Sequence, residues 1–114
     1  MRRPEELLPL TPLSLAILLA LGAGALHGYG IIKAVEQQSE KRLRPGAGSL
    51  YAALDRLAAG GLIEEQRFDE DGGGARRRFA LTPFGRRVAL AELRRLERLI
   101  EGARASGFAA ESVR

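Results

Sequence analysis

The chain has 114 residues, of which 46% are hydrophobic and 28% charged, and its net charge is +4. This length accommodates one domain with one modest core, and the balance is that of a globular protein. The absence of cysteine excludes disulfides and thiolate metal sites, and a single histidine, His27, disfavours a histidine metal site or a catalytic triad. We therefore expect no metal and no cofactor. Nearly all the positive charge is arginine, which suits a polyanionic partner such as nucleic acid.

An uncharged segment at residues 7–32 follows Arg2 and Arg3, so a signal peptide or a membrane span has to be weighed. Glu5 and Glu6 stand where a signal peptide would be basic, and prolines and glycines interrupt both ends of the segment. The uninterrupted apolar stretch is far shorter than the ~20 residues that a membrane-spanning helix needs. We therefore predict a buried core helix, no membrane partner and a cytoplasmic protein.

Three helices are predicted in the first half of the chain. Thr11 and Pro12 are typical of an N-cap and first helical residue, and they precede an apolar helix at residues 13–21. A second helix begins at residues 27–30 and runs to about residue 41, and a third occupies residues 48–57 before a Gly-Gly end. Helical spacing assigns Tyr29, Ile32, Val35 and Ser39 to the core face of the second helix, and Leu50, Ala53, Leu54 and Leu57 to that of the third.

The pattern then changes to that of a hairpin and a long helix. Strands are predicted at residues 62–68 and 76–81, joined by a glycine-rich flexible turn. Thr82 and Pro83 repeat the cap-plus-proline pattern and begin a helix that runs to about residue 104. Its apolar residues recur at the 4-3-4-3 spacing of a coiled-coil seam. To the dimer interface we assign Leu13 and the seam residues Ala89, Leu93, Leu96, Ile100 and Ala103.

This order of elements predicts an α+β, mostly α fold: a winged helix-turn-helix followed by a long C-terminal dimerisation helix. We expect the DNA-binding domain at residues 1–82, the dimerisation helix at residues 83–105 and a disordered tail at residues 106–114. The whole chain is expected to form a single compact unit.

The outer face of the third helix carries small and polar residues, which let a helix seat deeply in a major groove. Ser49, Tyr51 and Arg56 can donate hydrogen bonds to phosphates or bases. The carboxylate of Asp55 either accepts from a cytosine amino group or forms an ion pair with a nearby arginine. A surface helix packed on another element is the alternative. The candidate DNA-binding residues of this helix are Gly48, Ser49, Tyr51, Ala52, Asp55 and Arg56.

The returning strand of the hairpin carries Arg76, Arg77 and Arg78, which can lie along phosphates or enter a minor groove. Alternatively these arginines neutralise nearby carboxylates such as Glu64 and Glu65. The acidic turn at residues 69–71 is expected to point away from DNA. The paired glycines lack a phosphate-loop lysine and no carboxylates converge, so we predict that the chain is not an enzyme.

Four motifs in order resemble the PadR family of transcriptional regulators. The run HGYGI at residues 27–31 is similar to the family's H-G-Y-x-I, and GSLYAALDRL at residues 48–57 to its G-[TS]-L-Y-x-A-L-x-R-L. The run GLI at residues 61–63 leads into the wing, and RRFALTPFG at residues 77–85 resembles R-x-[YF]-x-L-T-x-x-G. Each motif alone is weak, whereas together they cover nearly the whole chain.

The resemblance implies a homodimer that binds a palindromic operator, usually to repress, through Ser49, Tyr51 and the arginine strand as wing. Ala52, Asp55 and Arg78 depart from residues common in the family, which puts the base preference in doubt. The chain has no tryptophan, so drug binding by interface tryptophans is not carried over. Whether an effector releases the protein from DNA is left open. A protein–protein interaction module using the same surface is the alternative, and a small enzyme or ligand carrier is disfavoured.

Overall fold

The computed structural model describes the backbone of residues 2–70 and 74–108 and the side chains of residues 2–66 and 77–108. Within these residues the fold is mostly helical, with an antiparallel sheet of three strands in the order β1-β3-β2, as the predicted winged-helix class requires. The elements are α1 (Pro12–Ala20), β1 (Leu26–His27), α2 (Gly28–Gln38), α3 (Ala47–Ala59), β2 (Ile63–Glu70), β3 (Gly74–Leu81) and α4 (Pro83–Ala105), with short 3₁₀ helices at Pro4–Leu7 and Leu21–Ala23.

The two predicted threonine caps are both confirmed. Thr11 accepts a hydrogen bond from the Ser14 N–H at 3.0 Å, and Thr82 accepts one from the Gly85 N–H at 2.9 Å. Each oxygen satisfies one of the N–H groups that a helix start leaves without a partner. A proline follows each cap at the first helical position. These caps fix where α1 and α4 begin.

The second helix differs from its prediction at both its end and its core face. It ends at Gln38 rather than near residue 41, because Glu40 and Lys41 adopt φ values of 53° and 66°, which a right-handed helix does not allow. The buried face is built on Ile31 and Val35, whereas Tyr29 is 70% exposed. The predicted core assignment of Tyr29 was therefore wrong.

The hairpin pairs β2 with β3 in a register that runs from Ile63 opposite Leu81 to Glu70 opposite Gly74. The turn between them lies outside the described residues. On the other edge of β3, the short strand β1 pairs with Phe79 and Arg78. This strand was missed in the sequence because two residues are too few to show an alternating pattern.

The core collects one face from each of α1, α2 and α3, the base of the hairpin and the first half of α4. Its largest fully buried apolar side chains include Ile17, Ile31, Leu54, Phe79 and Val88. The last buried residue along the described chain is Glu92. The core therefore extends well past residue 82, and the first half of α4 is part of the same packed unit as the helix-turn-helix.

An N-terminal arm before α1 is held against this unit. The N–H of Leu10 donates to Glu92 Oε2 at 2.8 Å, and Arg95 Nε donates to the other carboxylate oxygen at 2.5 Å. Arg2 bonds to the carbonyl of Gly60 and lies 5.2 Å from the ring centre of Phe84. The buried carboxylate of Glu92 thereby fastens the arm to α4.

The end of α4 continues into a turn at residues 106–108, where the Ser106 N–H donates to the carbonyl of Gly102 at 3.0 Å. The rest of the predicted tail, residues 109–114, lies outside the described residues. Among the residues that are described, no helix is both long enough and apolar enough to cross a bilayer.

Candidate nucleic-acid interface

The face of α3 predicted to point outward is the one that the structure exposes. Leu50, Ala53, Leu54 and Leu57 are buried, as their spacing predicted. With these residues buried, the opposite face of α3 points to solvent. It carries small and polar residues that no other described element covers. The exposed row consists of Gly48, Ser49, Ala52, Asp55, Arg56 and Ala59.

Tyr51 lies at the edge of this face and is half-buried. Its ring packs against Phe79 with centroids 6.3 Å apart and planes tilted by 58°. A Cβ atom at residue 28 would lie 2.8 Å from Tyr51 Cζ and still closer to the hydroxyl oxygen. Gly28 is therefore required for the close approach of α2 to this ring. The Tyr51 hydroxyl ends up beside the first turn of α2, in a shallow groove that it shares with His27 and Arg77.

Arg77 of the wing strand joins α3 to β2. Its Nε donates to Glu65 Oε2 at 2.9 Å and its Nη2 to Glu65 Oε1 at 3.0 Å. The same Nη2 lies 3.4 Å from Asp55 Oδ1, and the guanidinium carbon lies 4.9 Å from the ring centre of Tyr51. The hydrogen bonds to Glu65 chiefly raise the pKa of Arg77, and the charge of Asp55 adds to this effect. Arg77 therefore forms ion pairs with both Asp55 and Glu65.

Arg78 lies on the opposite face of the sheet, because successive strand residues point to opposite sides. There it is paired with His27 across the β1–β3 ladder, and its Nη2 lies 3.4 Å from His27 Nε2. The Nδ1 of His27 lies 3.3 Å from the carbonyl oxygen of Arg77, within hydrogen-bonding distance. Arg77 and Arg78 therefore do not form one basic stripe. The side chain of Arg76 lies outside the described residues.

The turn before α3 carries two arginines to which the sequence alone assigned no role. Arg42 and Arg44 line a groove of about 260 Å³ together with Leu13 and Ser49. Both arginines are exposed, and neither forms an ion pair within the described part of the chain. Their position directly ahead of the third helix was the signal that could have identified them.

The predicted seam of α4 divides at Glu92. Ala89, which the sequence assigned to the dimer interface, is only 6% exposed and packs in the core of its own chain. Beyond it Leu93 and Ile100 are 39% and 41% exposed, and Leu96 and Ala103 are half-buried. Leu13 is also half-buried and contacts the core of its own chain.

The described residues contain no group of three or more histidine, cysteine, aspartate or glutamate side chains placed to hold a metal ion. Their exposed hydrogen-bond donors instead surround α3, whose outer face carries small residues.

A model of the transcriptional regulator PadR-like family matches residues 17–92. The chain belongs to the PadR-like family of transcriptional regulators. The match ends at Glu92, where burial along α4 also ends.

One curated relative is an uncharacterized 37.1 kDa protein in transposon Tn4556 of Streptomyces fradiae. It is 46% identical over 83 residues, which make up 73% of this PadR-like chain and 22% of that protein. The chain therefore spans less than a quarter of that relative's length.

Solved structures of transcriptional regulators share the fold. A transcriptional regulator from Clostridium thermocellum superposes with a TM-score of 0.70 at 22% identity, covering 82% of this chain and 87% of that one. A PadR-like transcription factor from Bacteroides fragilis gives 0.71 at 25% identity, with coverage of 82% and 87%. Bacillus subtilis PadR, solved in complex with operator DNA, gives 0.66 at 23% identity, covering 73% of this chain and 47% of that one.

Proposed function

We propose that this PadR-like chain is a sequence-specific DNA-binding regulator that acts as a homodimer on a palindromic operator and represses transcription in the cytoplasm. The observation that carries the proposal is the exposed face of α3. It begins with Gly48 and Ser49, continues with Ala52 and includes Arg56. Small residues at the start of a helix let it enter a major groove until its side chains reach base edges.

The surroundings of α3 supply the contacts that would hold it on a duplex. Arg42 and Arg44 precede the helix, on the side of Ser49. The Tyr51 hydroxyl lies at the first turn of α2, where a helix favours an anion such as phosphate. Phosphate contacts fix the orientation of a protein on DNA, and base contacts supply the specificity. Arg56 is our candidate for base contact, and Arg42 and Arg44 are candidates for phosphate contact.

The second half of α4 supports the homodimer. Residues 93–105 extend about 20 Å beyond the core at the helical rise of 1.5 Å per residue. Leu93, Leu96, Ile100 and Ala103 keep the 4-3-4-3 spacing along this extension. Pairing with a second copy would cover the exposed leucine and isoleucine, and two-fold symmetry would present two α3 helices to two half-sites.

The test starts with selection of duplexes from a random-sequence pool by the purified protein. Affinity for the best recovered duplex is then measured as salt is varied, and log K is expected to fall linearly with log salt. Arg56→Ala should weaken binding by about 1–3 kcal/mol and relax the preference at one position of each half-site. Arg104→Ala, at the far end of α4, is the matched control and should leave affinity unchanged. Failure to enrich any sequence, or binding that is independent of salt, would exclude the proposal and favour a protein partner.

A further inference from the structure

Arg77 occupies a position where the wing and the third helix meet. Its guanidinium donates hydrogen bonds to Glu65 of β2, its Nη2 contacts Asp55 of α3, and the same group lies over the ring of Tyr51. We propose that Arg77 is a positioning residue, which locks the wing strand onto α3 and orients Tyr51, and that it makes no contact with DNA. This inference rests on the proposed DNA-binding function, and it assigns to an arginine of the wing a role opposite to that expected from its sequence.

Two nitrogens of Arg77, Nε and Nη2, already donate within the protein. Nε–H and Nη2–H hold the two oxygens of Glu65 at 2.9 and 3.0 Å, a bidentate geometry with directional specificity. Two carboxylates, those of Glu65 and Asp55, surround this one guanidinium. Moving Arg77 to a phosphate would break the two-pronged bond to Glu65 and the contact with Asp55.

The same contacts hold Tyr51 from two directions. The guanidinium of Arg77 stacks at 4.9 Å from its ring centre, within the range of a cation–π interaction. The backbone of Gly28 closes the space at the hydroxyl end. Arg77 also lies 5.3 Å from the ring centre of Phe79, which packs against Tyr51. Rotation of the wing relative to α3 would thus displace the Tyr51 hydroxyl.

The first experiment distinguishes a positioning role from a direct phosphate contact. The double variant Arg77→Gln with Glu65→Gln removes the tether and leaves the net charge unchanged. Its affinity for the best duplex recovered by the wild-type protein should fall about 10-fold, while the slope of log K against log salt stays the same. Loss of a phosphate contact reduces this slope by about 0.9 per contact. A reduced slope in the double variant, or unchanged affinity, would overturn the inference.

Conservative replacement adds a second criterion. Arg77→Lys keeps the charge but cannot form the two-pronged bond to Glu65. We expect it to lose as much affinity as the double variant, because the fork rather than the charge positions the wing. Recovery of wild-type affinity with lysine would indicate that a positive charge near DNA is sufficient, and would contradict the proposal.

A measurement without DNA separates failure of this inference from failure of the proposed function. The chain has two tyrosines, so Tyr29→Phe leaves Tyr51 as the single site for 3-fluorotyrosine. In this background, Glu65→Gln and Arg77→Lys should both shift the fluorine resonance of Tyr51. Glu64→Gln, on the adjacent residue of β2, is the matched control and should not. A resonance insensitive to Glu65 and Arg77 would sink the inference even if the protein bound DNA well, whereas a protein that binds no duplex would refute only the proposed function.

Discussion

Gly28 and Tyr51 belong to two different sequence motifs, and the structure explains why both are needed. The hydroxyl end of Tyr51 lies so close to the α2 backbone that a methyl group at residue 28 has no space. Gly30, two residues further along the same helix, lacks this constraint, because its added Cβ would be 3.5 Å from the nearest atom, in Leu26. Two glycines with similar sequence surroundings therefore have different structural roles.

Gly28→Ala should destabilise the protein by about 1–3 kcal/mol, the usual cost of forcing an extra carbon into a packed site. Gly30→Ala should be neutral or stabilise the protein by up to about 1 kcal/mol, because alanine favours a helix more than glycine does. Urea denaturation of both variants provides the measurement. Equal effects of the two substitutions would contradict the role given to Tyr51.

Glu92 predicts a specific dependence of stability on pH. The hydrogen bond from Arg95 is the largest cause that lowers the pKa of this carboxyl, burial opposes it, and the bond from the Leu10 N–H lowers it further. Because its pKa is lower in the folded than in the unfolded state, the stabilisation is complete above the ordinary glutamate range and is lost as pH falls through the folded value. The Arg95 side chain is 37% exposed, so water screens the ion pair and limits its contribution to stability.

Glu92→Gln should therefore cost about 1 kcal/mol at neutral pH. The difference between variant and wild type should shrink as the pH is lowered below the ordinary glutamate range and the wild-type carboxyl also becomes neutral. Urea midpoints measured across this range test the prediction. A difference that is constant with pH would mean that the charge of Glu92 contributes nothing to stability.

At the scale of elements, features decided by neighbouring residues were predictable, and features decided by distant ones were not. Thr11 and Thr82 cap their helices through residues three positions away, so the sequence alone located both starts. The strand β1 exists because β3 offers it an edge, and no local pattern records that. The face of α2 was misassigned because Ile31 and Ile32 are adjacent and equally apolar, so the sequence does not show which of them is buried. Tertiary packing buries Ile31.

The candidate site shows the same division. The exposed face of α3 followed from helical spacing around Leu50 and Leu54. Alternation along β3 was sufficient to separate Arg77 from Arg78, since neighbours in a strand point apart. That Arg77 turns to Asp55 and Glu65 depends on how the wing folds over α3, and no sequence rule supplies that angle.

The second half of α4 gives the prediction that belongs to this scale. Leu93→Glu should convert the proposed dimer to a monomer, because it places a charge on the seam, and it should lower affinity for the selected duplex by about 100-fold or more through loss of bivalent binding. Gly102→Glu adds the same charge to an exposed position off the seam and should leave the protein dimeric. Light scattering after size-exclusion chromatography distinguishes the two states. A dimeric Leu93→Glu protein would rule out the seam.

At the scale of the whole molecule, symmetry constrains the footprint on DNA. Two copies joined along α4 would present their third helices to one face of the duplex. The two helices would lie about 34 Å apart, the length of one helical turn of DNA, or a multiple of that distance apart. Hydroxyl-radical footprinting on the selected duplex should therefore show two protected blocks related by a two-fold axis. A single block, or a pattern without symmetry, would argue against the homodimer while leaving the role of α3 intact.

The contact between Leu10 and Glu92 has a consequence for how this chain folds. It joins residues 82 positions apart, so nearly the whole sequence must be present before the bond can form. Closing so long a loop costs conformational entropy before any contact repays it, which slows folding. During synthesis the helix-turn-helix leaves the ribosome before α4, which contributes Val88 and Ala89 to the core. A nascent chain would therefore complete this fold only when the first half of α4, which leads directly into the segment proposed to pair with a second copy, has also been made.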